Sequence, residues 1–94
     1  PIPAMTTTDF PVSTTATSLA LLATAQADVP TSTIAVDVYN TIGTLVGTSG
    51  PMVGVAAVTV PSPGAGNFTV RVRNMSGAST NLTPTIVVRE PLLP

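Results

Sequence analysis

The 94-residue sequence predicts an all-β fold, an antiparallel β-sandwich of jelly-roll or immunoglobulin-like type with seven to eight short strands. Three observations carry that expectation. Apolar and polar residues alternate with a period of two, most cleanly in Phe68-Thr-Val-Arg-Val-Arg73. Turn-forming clusters interrupt such stretches at short intervals, as in Asn40-Thr-Ile-Gly43, Ser49-Gly-Pro51 and Pro61-Ser-Pro-Gly-Ala-Gly66. The composition is 44% hydrophobic, rich in Thr and Val and poor in charge, the opposite of a disordered chain.

Residues 1–8, with Pro1, Pro3 and the run Thr6 to Thr8, read as an extended arm, because proline offers no amide to a sheet interior. Asp9 to Val12 is a short strand. Thr17 to Ala25 is where a helix competes, since Ala and Leu are good helix formers. There Leu19, Leu21 and Ala23 alternate with Ala20, Leu22 and Thr24, which suits a strand buried on both faces. Beyond Val29-Pro30, Thr33 to Asn40 places Ile34, Val36 and Val38 on one face and Ala35, Asp37 and Tyr39 on the other.

Thr44 to Thr48 returns as a strand after the Asn40–Gly43 turn, and Met52 to Val60 forms the next. Phe68, Val70 and Val72 then point inward while Thr69, Arg71 and Arg73 point outward. Asn74 to Thr80 is a loop. Leu82 to Arg89 closes the fold, with Pro84 placing it at a sheet edge. One domain therefore spans 1–94, with 1–8 and 90–94 as Pro-containing arms or connectors between subunits.

Ser18 to Ala27 has the apolar run and Ala-x-Ala ending of a secretory leader. It lacks a basic segment in front, however, and follows Asp9 and Pro11, so it reads as part of the domain. It is also shorter than the ~20 apolar residues of a membrane span. The chain beginning at Pro1 reads as a processed or excised unit.

Composition excludes much chemistry. Three arginines face four acids, and His, Cys, Lys and Trp are absent. No thiolate, imidazole base, Schiff-base lysine, disulfide or His/Cys zinc site is available. A catalytic role, a cofactor site and a metal site are therefore not expected. Nucleic acid is not an expected partner either, because phosphate binding needs clustered Lys and Arg. Designed small domains usually carry about 25–35% charged surface, whereas only 7% of these residues are charged. Other copies of the chain, glycans or both are the expected cover for its exterior.

Two segments resemble a known family. Ile34-Ala-Val-Asp-Val-Tyr-Asn-Thr-Ile-Gly-Thr-Leu-Val-Gly-Thr-Ser49 and Gly64-Ala-Gly-Asn-Phe-Thr-Val-Arg-Val-Arg-Asn-Met-Ser-Gly77 are similar to the hairpin and the Gly-led strand of the bacterial pre-peptidase C-terminal domain. The similarity covers roughly residues 9–89. It implies a jelly-roll-like sandwich, secretion and a non-catalytic role beside an enzyme or within a larger surface protein. The calcium and collagen binding of some members does not carry over. Here the four acids are scattered, and Tyr39 is the only aromatic besides Phe10 and Phe68.

Three of the four asparagines, Asn67, Asn74 and Asn81, head Asn-x-Ser/Thr acceptor sequons for N-glycosylation. Chance matches are common in a chain this rich in Thr and Ser. The Thr tracts Thr6 to Thr8 and Thr14 to Thr17 suit O-glycosylation, although β-propensity explains them equally well. Asp37 beside Tyr39 lacks a second ligand in sequence, and it reads as a solvated or Arg-paired strand residue. Arg71 and Arg73 read as solvated or paired across the sheet.

The functional expectation is a secreted or cell-surface structural subunit or repeat that assembles with copies of itself through edge strands and arms into a filament, sheath or fibre. The alternative is an accessory module of a secreted hydrolase that binds a carbohydrate or protein polymer.

Overall fold

A computed structural model describes residues 7–77 and 81–90. It contains eight strands: β1 (Thr7–Thr14), β2 (Ala20–Ala27), β3 (Thr33–Tyr39), β4 (Leu45–Thr48), β5 (Met52–Val53), β6 (Val55–Pro61), β7 (Gly66–Asn74) and β8 (Leu82–Arg89). One sheet runs β1-β7-β3-β4, with β5 also on β3, and the other runs β6-β2-β8. Every pairing is antiparallel. Among the described residues no helix is long and apolar enough to cross a membrane.

The strands follow from their alternation. On β7, Phe68, Val70 and Val72 are buried, while Asn67, Thr69, Arg71 and Arg73 face outward. On β3, Ile34, Val36 and Val38 join the same core, and Ala35 and Asp37 are buried on the other side, because β7 and β4 flank this strand. Leu21, Ala23, Ala25 and Ala27 of β2, with Ala56 and Val60 of β6, complete the core from the facing sheet. The two sheets thus pack face to face as a β-sandwich.

Three expectations are corrected in detail. The first strand reaches back to Thr7 and Thr8, which pair with Arg73 and Val72. The remainder of the expected arms, 1–6 and 91–94, lies outside the described residues, as do positions 78–80 of the expected loop. The strand expected over Thr17 to Ala25 begins at Ala20 and is buried on one face only. Leu22 and Thr24 are half-exposed and Leu19 is 53% exposed, because nothing in the described chain covers the outer side of the three-stranded sheet. The single strand expected over Met52 to Val60 is divided at Gly54, so that β5 pairs with β3 in one sheet and β6 with β2 in the other.

Gly54 makes that division possible. Its φ of 81° lies in the left-handed region, and an added Cβ would stand 2.8 Å from the Pro30 carbonyl oxygen. Its N–H donates to Ser32 C=O and its own C=O accepts from Ala27 N–H, so this backbone ties the two sheets to the β2–β3 connection.

Among the described residues, backbone bonds also fix which groups face the sheet edges. Met75 N–H donates to Thr33 C=O, which phases β3 and β7 so that odd residues of β7 bond β3 and even ones bond β1. On β1 the odd residues, Pro11 among them, therefore face away from the sheet. Asp28 N–H donates to Asn81 C=O, so by the same alternation odd residues of β8 bond β2. Leu82, Pro84, Ile86 and Val88 turn their backbone groups to the open edge. Pro84 was expected at an edge, and β8 is one. Pro11 and Pro84 thus lie where the ladder needs no donor.

Gly54→Ala is expected to lose about 2–3 kcal/mol in urea unfolding, because a strained φ and a steric clash act together. Gly43→Ala shares the positive φ but meets nothing within 4 Å, and is expected to lose only about 1 kcal/mol.

Candidate functional site

Four of the seven charged side chains meet on the outer face of the β1-β7-β3-β4 sheet. Asp9 on β1 and Arg71 on β7 are register partners, so their side chains leave the sheet side by side. Arg71 Nε donates to Asp9 Oδ1 at 2.8 Å and Nη2 to Oδ2 at 3.2 Å, a two-pronged pair. The same guanidinium lies 4.8 Å from the centre of the Tyr39 ring, a cation–π distance. Hydrogen bonding to Arg71 holds the Asp9 carboxyl below its ordinary range, and the pairing in turn raises the guanidinium.

Asp37 stands apart in being buried, with only 5% of its side chain exposed. Arg73 Nε lies 2.8 Å from its Oδ2, an ion-pair contact whose angle is off-line for a hydrogen bond. Arg73 Nη2 reaches Oδ1 at 3.4 Å, and the Thr48 hydroxyl donates to the same oxygen at 2.6 Å. Of the two readings the sequence left for Asp37, Arg71 and Arg73, the structure selects pairing across the sheet.

A groove of about 290 Å³ opens beside the first pair, walled by Asp9, Arg71, Tyr39 and Thr69 and closed by the β3–β4 turn at Thr41 and Gly43. Asn40 shapes this turn. Its Oδ1 accepts from Ile42 N–H and Thr44 N–H, and Gly43 closes the loop at φ 85°. On the far side of the turn a second hollow of about 260 Å³ lies between Ile42, Pro63 and Phe68. The groove offers a carboxylate, a guanidinium, a phenol and hydroxyls. That set suits a neutral, polar ligand better than an ion, because both charges already neutralise each other. Among the described residues no three His, Cys, Asp or Glu side chains gather.

The groove was missed in the sequence, although parity held a clue. Asp9, Arg71 and Tyr39 all belong to the outward set of their strands, but only the order β1-β7-β3 makes them neighbours.

The three sequons separate by environment. Asn67 is exposed at the start of β7, where its Oδ1 accepts from the Ser13 hydroxyl at 2.9 Å. Asn81 is exposed, and its N–H and Nδ2 both donate to the Asp28 carboxylate at 3.0 Å. Asn74 belongs to the inward set of β7 and is 1% exposed, with Oδ1 accepting from Ser76 N–H at 3.0 Å and from the Ser76 hydroxyl.

The opposite face of the molecule is chemically different. Across β6, β2 and β8 the outward rows are Pro61-Ala20-Arg89, Thr59-Leu22-Val87, Ala57-Thr24-Thr85 and Val55-Gln26-Thr83. Arg89, at a corner, is the sole charge in this array. Comparison with known proteins brings no family model and no curated sequence that matches the chain.

Arg73→Met is expected to destabilise the fold by about 2–4 kcal/mol, since it strands the buried Asp37 carboxylate with one hydroxyl partner. Asp9 makes a smaller and pH-dependent contribution. Its folded-state pKa is lowered, so its stabilisation is present above the unfolded value of about 3.9 and is lost as pH falls through the folded value. Both partners are well exposed, which limits the effect to about 0.5 kcal/mol. Asp9→Asn is expected to remove that part of the acid sensitivity, read as a smaller drop in thermal midpoint between neutral and acid pH.

Proposed function

We propose that this chain is a non-catalytic extracellular structural protein, a β-sandwich subunit or repeat that assembles with its own copies into a filament, sheath or surface fibre through edge-strand and arm contacts. The uneven distribution of charge carries the reading. Paired charges crowd one outer face, whereas the other presents Thr, Val, Ala and Leu with a single cation at its rim. A face of that kind is covered by a like face without burying unpaired charge. Among the described residues the β1 and β8 edges, each eight residues long, leave backbone groups without a ladder partner. The resemblance to the pre-peptidase C-terminal domain supports secretion and a non-enzymatic role.

Glycans on the exposed Asn67 and Asn81 fit the same reading, since they shield surface that charge does not. The buried Asn74 fits it poorly. A second reading, an accessory module gripping a neutral polymer, draws on the polar groove beside Tyr39.

Light scattering and electron microscopy across a concentration series test the proposal. Multimeric particles that persist in molar salt are expected, because exposed ion pairs are screened and an apolar, hydrogen-bonded contact is not. Monodisperse monomers at every concentration would sink it. For the glycans, secretion from an N-glycosylating host is expected to add mass at Asn67 and Asn81 but none at Asn74, checked by peptide mass spectrometry.

A further inference from the structure

We infer that a second copy of the chain pairs with β8 of the first as an antiparallel strand, in a two-fold register centred on Ile86. The inference rests on the self-assembly reading and names the surface that performs it.

The other edges are poorer candidates. The β1 edge carries Asp9, whose ion pair with Arg71 stands in water at the rim. The β4–β5 edge is divided into four residues and two, separated by Gly50-Pro51. The β6 edge lies close to β4, where a Cβ on Gly47 would stand 3.0 Å from the Val58 and Val60 methyls. β8 is continuous over eight residues and uncharged from Leu82 to Val88. Pro84 is its one device against pairing.

The position of that proline rules out one register and permits another. The open edge presents N–H groups from Leu82, Ile86 and Val88 and carbonyls from Leu82, Pro84, Ile86 and Val88, as fixed by the phase of the β2–β8 ladder. With Ile86 opposite the partner's Ile86, the two exchange both bonds. Val88 then faces the partner's Pro84, and its N–H meets the proline carbonyl. The Ile86 and Val88 donors are satisfied, and proline is asked only to accept. Centring on Pro84 instead would set two residues without N–H against each other and lose both central bonds.

Side chains agree with this register. Directly opposed residues share a face, so Ile86, half-buried at the margin of the core, gains its own copy as neighbour. On the outer side Thr85 meets the partner's Val87, and Val87, already 46% exposed, is covered. Arg89 falls opposite the partner's Thr83, so no like charges meet. The contact is isologous, as two-fold dimers require.

The absence of cysteine makes a thiol test unambiguous. In this register Thr85 and the partner's Val87 form a non-hydrogen-bonded pair with Cα atoms about 4.5 Å apart, inside the disulfide range. An equimolar mixture of Thr85→Cys and Val87→Cys proteins is expected to crosslink about tenfold faster than either alone, where the thiols lie on the ~7–8 Å diagonal. Val88→Pro removes an open-edge donor that takes no part in the β2 ladder. It is expected to abolish pairing in light scattering while leaving the circular dichroism of the strands unchanged. Assemblies that form without selective crosslinking, or that survive Val88→Pro, overturn the β8 register but leave self-assembly standing. Monomers under all conditions overturn both.

Discussion

The two sheets are held together by an interface of unequal partners. One supplies bulk in Ile34, Val36, Val38, Phe68, Val70 and Val72, while the central strand of the other supplies mainly alanine, in Ala23, Ala25 and Ala27 beside Leu21. Large against small lets the layers interdigitate, and the close approach at Gly47 belongs to the same economy of space. A core built this way removes less apolar surface per residue than one lined with Leu on both sides. Backbone ladders, the Gly54 junction and the pairing of the buried Asp37 with the half-exposed Arg73 consequently carry more of the burden of defining the fold.

The same constraint explains the exterior. A thin core leaves apolar side chains over, and they remain on the surface: Val55 and Val87 on the three-stranded sheet, Leu45, Met52 and Val53 along the opposite edge. Scattered apolar residues on a surface are ordinary, but an outer sheet face with one charge is not. Charge is concentrated instead in two pairs on adjacent strands, Asp9 with Arg71 and Asp37 with Arg73. The result is a molecule with two unlike faces, one carrying two ion pairs and Tyr39 and the other a hydroxyl and methyl surface. The proposed pairing through β8 is compatible with the polar groove, because β8 and the groove-lining strands belong to different sheets.

Much of this was legible in the chain itself. Strict alternation in Phe68 to Arg73 and Ile34 to Tyr39 determined which side chains enter the core, and Asn40 with Gly43 determined a tight turn between β3 and β4. Pro84 marked an edge, and the shortage of charge foreshadowed an outer sheet face with a single cation. The physical reason is common to all of these: side-chain period, turn chemistry and the missing proline donor act over a few residues and need no knowledge of the partner strand.

Tertiary structure alone decided the remainder. It split Met52 to Val60 between two sheets at Gly54, left the outer face of Leu22 and Thr24 uncovered, and turned Asn74 inward while Asn67 and Asn81 stayed outside. It also brought Asp9 to Arg71 across 62 positions of chain. None of these is a local property. Strand order and register determine which residues become neighbours, and both are set by how two sheets share one core.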